Sequence, residues 1–107
     1  MAKLEKRLCG DFDAILARLD EGILSGSMSA TLEEQSDFEL NGVRCAVRVY
    51  ERYSWTGGNR LSMTLTLFGS GSELNLSAIT SGGSNAVFFK MNTIGEDAFL
   101  DTIQGLI

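Results

Sequence analysis

The alternation of apolar and polar side chains changes period along the chain. Residues 2–8 alternate weakly, with Leu4 and Leu8 on one side, and predict a short strand. Asp11 then stands where a helix N-cap belongs. Phe12, Ile15, Leu16, Leu19 and Ile23 recur at three- and four-residue spacing, the signature of an amphipathic helix over roughly 12–24. Ser25-Gly26-Ser27 ends it. From residue 28 the period becomes two. Met28, Ala30, Leu32, Phe38 and Leu40 share a face, interrupted by Glu34 and Ser36. Asn41-Gly42 follows, the favoured pair for a two-residue hairpin turn, because both central residues need positive φ. Val43, Cys45, Val47, Val49, Tyr53 and Trp55 then line one face of the next strand. A two-residue loop sets Leu40 opposite Val43, Phe38 opposite Cys45 and Met28 opposite Trp55, so the apolar faces coincide.

The same logic continues. A three-residue turn at Gly57-Gly58-Asn59 brings Trp55 to Leu61, Tyr53 to Met63 and Val49 to Leu67, with a strand over 60–68. Gly69-Ser70-Gly71-Ser72 turns into a strand over 73–80, matching Leu67 with Leu74 and Leu65 with Leu76. Ser81-Gly82-Gly83-Ser84 turns into another over 85–91, matching Ala78 with Val87, Leu76 with Phe89 and Leu74 with Met91. Thr93-Ile94-Gly95-Glu96 is a capping-box pattern, and the helix after it carries Phe99, Leu100, Ile103, Leu106 and Ile107 on one side. The predicted fold class is α+β, in the order β-α-β-β-β-β-β-α. An antiparallel meander of five to six strands carries two helices on one face. The pattern leaves open whether the first strand pairs with the second or with the last.

This element order is similar to a reduced helix-grip fold, the architecture of the START and plant-allergen families, and resembles half of the TATA-binding-protein fold. A second resemblance reaches individual residues. The run Thr80-Ser81-Gly82-Gly83-Ser84-Asn85-Ala86-Val87-Phe88-Phe89-Lys90, followed by Gly95-Glu96-Asp97-Ala98-Phe99-Leu100, resembles a family of short bacterial proteins known only as a domain of unknown function. Val43-Arg44-Cys45-Ala46-Val47-Arg48-Val49-Tyr50-Glu51-Arg52-Tyr53 adds to it. The likeness extends over nearly the whole chain and implies no activity, substrate or cofactor.

Composition narrows the function classes. The chain has 107 residues, the size of one domain, so 1–107 is expected to fold as a single unit. It holds 9 Lys+Arg against 14 Asp+Glu, a formal charge of -5, which repels phosphate backbones at long range. With no His there is no imidazole base or ligand, and two Cys supply neither a four-thiolate zinc site nor a disulfide framework. No secretory signal or membrane helix is visible. The expectation is a cytoplasmic protein with no cofactor and no metal, and with neither nucleic acid nor membrane as partner.

Several constellations carry possible chemistry. Arg44, Arg48 and Arg52 form a row pointing away from the apolar face, opposite Glu39 and Gln35 and diagonal to Glu33 and Asp37. Such a row is a solvated charge ladder or, less economically, a phosphate-binding strip. Glu34 and Glu51 fall on the otherwise apolar face as diagonal neighbours, the arrangement from which an acid/base pair is built when one carboxyl stays protonated. Gly82, Gly83 and Ser84, with Lys90, form a candidate anion-binding nest, although the strand-loop-helix setting of a P-loop is missing. Cys45 reads as a small core residue and Cys9 as a thiol before the first helix. Tyr50, Phe68, Ile79 and Phe88 point away from both helices and form a candidate interface.

The sequence therefore favours a non-enzymatic module that self-associates, most simply as a homodimer, or binds a protein partner. A carrier of a small apolar ligand between sheet and helices is the first alternative. An acid/base enzyme using Glu34 and Glu51 is the second.

Overall fold

The computed structural model describes residues 2–26, 29–54 and 59–82. The element order is β1 (Ala2–Cys9), α1 (Phe12–Ser25), β2 (Thr31–Leu40), β3 (Val43–Ser54), β4 (Asn59–Ser70) and β5 (Glu73–Gly82). The class is α+β, with one antiparallel sheet in the order β1-β5-β4-β3-β2. Strands β2 to β5 are a hairpin meander. β1 adds to the free edge of β5, pairing Leu4 with Ala78 and Leu8 with Leu74. The first strand thus pairs with the last of the described meander. The sixth strand expected over 85–91 and the second helix lie outside the described residues. The edge of β5 on which Val87, Phe89 and Met91 were expected to pair is occupied by β1.

α1 starts where the sequence places it. The Asp11 carboxylate accepts a 2.9 Å hydrogen bond from the Ala14 backbone N–H, satisfying one of the donors a helix start leaves open. At the other end the Gly26 N–H donates to the Gly22 carbonyl at 2.9 Å. The apolar stripe works as read: Phe12, Leu19 and Ile23 are buried, and Ile15, Leu16 and Leu24 pack against the core. Beneath them lie Leu61, Met63, Leu65 and Leu67 of β4 and Leu74, Leu76 and Ala78 of β5. Each fully buried side chain of this size contributes roughly 1.5–3 kcal/mol of transfer free energy.

The β2–β3 hairpin keeps its predicted register through Phe38–Cys45, Glu39–Arg44 and Leu40–Val43. Asn41 and Gly42 both take positive φ, 53° and 80°, as a two-residue turn of this hand requires. A bulge between Leu32 and Glu34 then resets the pairing, so Leu32 meets Tyr50 and Thr31 meets Glu51. The next register is a correction. β3 pairs with β4 through Tyr50–Met63, Arg52–Leu61 and, at the end of the ladder, Ser54–Asn59. Trp55–Leu61, Tyr53–Met63 and Val49–Leu67 are not the pairs. The connection is residues 55–58, one longer than expected, and an odd shift in register turns every β3 side chain to the other face. β5 is also displaced against β4, pairing Leu67 with Leu76 and Leu65 with Ala78, but by an even step that preserves the faces.

The consequence is a sheet with two different sides. On the side bearing α1, β3 contributes Arg44, Ala46, Arg48 and Tyr50. Ala46 and Tyr50 are buried, with Tyr50 at 0% exposure. On the other side β3 contributes Val43, Cys45, Val47 and Val49. That outer face carries no described helix.

Candidate functional site

The outer face is ordered in cross-strand rows. One row runs Phe38, Cys45, Phe68, Asn75, Arg7 from β2 to β1. A second runs Glu34, Val49, Thr64, Ile79, Lys3, and between them lies Ser36, Val47, Thr66, Ser77, Glu5. The apolar side chains gather toward β2 and β3. Phe38 is 62% exposed and Leu40 74%, while Val43 and Phe68 are also open. Toward β1 and β5 the face is polar and hollowed: Glu5, Arg7, Thr66, Phe68, Asn75 and Ser77 line a groove of about 580 Å³. Phe68 and Ile79 thus stand where the sequence places them. Tyr50 does not. Its ring is buried under α1, and its hydroxyl donates to Asp20 at 2.6 Å. Burial, and then the bond to Asp20, push the phenol above its ordinary range. Phe88 lies outside the described residues.

The arginine row lies on the side of the sheet that bears α1, with its ion pairs at the rim of the core. Arg44 makes a two-pronged contact with Asp13 at the start of α1, with bonds of 2.8 and 3.0 Å, and its guanidinium sits 4.2 Å from the centre of the Phe12 ring. Arg48 reaches Asp37 at 3.0 Å and its own neighbour's carbonyl, that of Val47, at 3.0 Å. Burial pulls the Arg52 guanidinium below its ordinary value. These contacts tie α1 and β2 to β3. They are structural pairs and leave no open phosphate strip at Arg44 and Arg48.

Asp13 gives a direct test of that assignment. Hydrogen bonds from Arg44 hold its carboxyl below the ordinary value; desolvation opposes the shift and the Arg44 charge adds to it. Because the folded value is the lower one, the pair stabilises the fold above the unfolded carboxyl value of about 4. That contribution is lost as pH falls through the folded value. In Arg44→Gln, NMR titration should find the Asp13 carboxyl moved up. An unmoved Asp13 would mean the pair is not formed in solution.

Glu34 and Glu51 keep the diagonal relation predicted for them, through the Glu34–Val49 pair, but each carboxylate has its own partner. Glu34 faces Val49 and its carboxylate accepts from the Gln35 backbone N–H at 3.0 Å. Glu51 is bound by the Arg60 guanidinium, which also lies 3.9 Å from Glu33. The bulge lies just beyond Glu34 and brings Glu33 into a small pocket with Ser29, Thr31, Glu51, Arg52, Tyr53 and Arg60 at the end of the sheet. The sequence sets Glu33 beside the arginine row instead, since a bulge leaves no mark in a period-two pattern, and does not single out Arg60. The Glu51 carboxylate is held in an ion pair with Arg60, and in the same pocket the Thr31 hydroxyl donates to the Glu33 carboxylate.

Of the nest candidates, Gly82 closes β5, while Gly83, Ser84 and Lys90 lie outside the described residues. Cys9 is exposed at the end of β1, and Cys45 is half-buried on the outer face between Phe38 and Phe68, a correction to its expected core position. Among the described residues no group of three or more His, Cys, Asp or Glu is arranged to hold a metal ion, and no helix is long and apolar enough to cross a membrane.

The residue-level resemblance is confirmed by a family match that runs over residues 1–107. The chain belongs to DUF6054, a family of unknown function. Among curated proteins none matches it. Membership of DUF6054 thus assigns no chemistry, and the outer face has to be interpreted from its own geometry.

Proposed function

We propose that this member of DUF6054 is a non-enzymatic interaction module that self-associates through the outer face of its sheet. One observation carries the reading: Phe38, Leu40, Val43 and Phe68 stand exposed on a sheet face that bears no described helix. Ile79, 38% exposed, extends the apolar area to β5. Exposed apolar groups gathered on one face mark a contact surface more often than groups scattered over a whole molecule. The neutralised Glu51 and the separate bonding of Glu34 favour this reading over the acid/base alternative.

Sedimentation velocity over a concentration series tests it. The wild-type chain should dimerise at micromolar concentration. Phe68→Glu should shift it to monomer with an unchanged far-UV circular dichroism spectrum. A wild type that stays monomeric at several hundred micromolar would end the self-association reading.

A further inference from the structure

We infer that the occupant of the outer face is a second copy of this chain, docked about a two-fold axis running along β4, with β1 of each copy over β2 of the other. This rests on the reading of the outer face as a self-association surface and specifies its geometry. β4 is the central strand, with two strands on each side. A two-fold axis parallel to it keeps each cross-strand row over the same row of the partner and reverses its order. Phe68 then meets Phe68 of the second copy at the axis. At the two ends of that row, Phe38 of one copy lies over Arg7 of the other. Two rows along, Glu34 lies over Lys3, and Val49 over Ile79.

Shape and charge both favour this arrangement. Phe38 and Leu40 project from the β2 side, while the groove beside Arg7, Asn75 and Phe68 is a hollow on the β1 side. Reversing the row sets the projection of one copy over the hollow of the other, twice. Phe38 then lies within reach of the Arg7 guanidinium, a cation–π pairing. Lys3, which pairs with Glu5 of its own copy at 2.9 Å, and Glu34 are both exposed and long enough to meet across sheets stacked about 10 Å apart. An axis running across the strands through the middle row instead would set Lys3 of one copy over Arg7 of the other, twice, which is unfavourable. Five strands about 4.8 Å apart and eight residues of about 3.3 Å rise give a footprint of roughly 600 Å² per copy. Both copies together reach the lower end of the 1,200–2,000 Å² typical of stable interfaces. Aligned sheets packed face to face accommodate their twist at about −30°, a rotation that long edge side chains can follow.

The test is a charge exchange followed by sedimentation velocity, with circular dichroism to establish that each variant is folded. Lys3→Glu alone and Glu34→Lys alone each oppose like charges twice in a homodimer, and should weaken dimerisation about tenfold or more. An equimolar mixture of the two variants should regain wild-type affinity, because in the mixed dimer both contacts are again of opposite sign. Single variants that dimerise as tightly as wild type, while Phe68→Glu does not, would overturn this arrangement and leave the outer face as the interface. A monomeric wild type would remove both.

Discussion

Replacing Tyr50 by alanine should cost about 3–5 kcal/mol, the range for truncating a large buried aromatic side chain. The ring is fully enclosed, packed in the core that contains Leu19, Ile23, Met63 and Leu65, so its loss leaves a cavity. Tyr50→Phe keeps the packing and removes only the bond to Asp20, which should cost about 1.5–3 kcal/mol for a hydroxyl donating to a charged acceptor. Urea denaturation should show both losses as a lower midpoint at nearly constant slope. The two variants separate packing from hydrogen bonding. A Tyr50→Ala chain within about 0.5 kcal/mol of wild type would return Tyr50 to the surface. The same burial has an alkaline signature. The folded phenol value lies above the unfolded one of about 10, so the contribution is present below that value and lost as pH rises toward the folded one. Ionisation of Tyr50, followed by phenolate absorbance, should therefore accompany unfolding and not precede it.

Tyr50 also marks where the sequence stops being legible. The helix, its Asp11 cap, the strands β1 to β5 and the Asn41-Gly42 turn were all readable, because each depends on local spacing or on a φ requirement. The facing of β3 was not. Its two faces differ little in hydropathy: Val43, Cys45, Val47 and Val49 look more like a core than Arg44, Ala46, Arg48 and Tyr50 do. The core nevertheless takes the second set. Arg44 and Arg48 lay their stems along apolar surface and deliver their guanidinium groups to Asp13 and Asp37 at its rim. Only the length of the connection at 55–58 decides between the faces, and a one-residue difference there is beyond what turn composition reports. The candidate site inherited that error in part. Phe68 and Ile79 lie exposed on the outer face, as the pattern predicts, because the strands β4 and β5 have one clearly apolar face. Phe38, Val43 and Val47, placed in the expected core, belong with them.

The second large effect should come from Gly69, in the last turn of the ladder before the β4–β5 hairpin. Gly69 pairs with Leu74 and is followed by the Ser70–Glu73 pair that closes around Gly71-Ser72. A methyl group built on Gly69 would overlap the Glu73 carbonyl oxygen and approach the Leu74 Cα to 2.8 Å. Both are backbone atoms, so no rotation of a side chain relieves the contact. The hairpin has to open, and with it the seat of Leu74, which is 2% exposed. Gly69→Ala should therefore cost at least about 2–3 kcal/mol, as overpacking against a rigid neighbour does. For a domain of this size that corresponds to a fall in melting temperature of about 10 °C or more. Gly42→Ala is the control. Gly42 has a positive φ of 80° but open space around its Cβ position, so an alanine there meets only backbone strain of about 1–2 kcal/mol. The ordering matters more than either value. Composition alone would rank the turn glycine of the Asn-Gly pair as the less replaceable of the two. The structure ranks Gly69 above it, because a clash with neighbouring backbone outweighs an unfavourable φ. If Gly69→Ala melts within two or three degrees of wild type while Gly42→Ala falls further, the close approach of β4 to β5 at this hairpin is wrong.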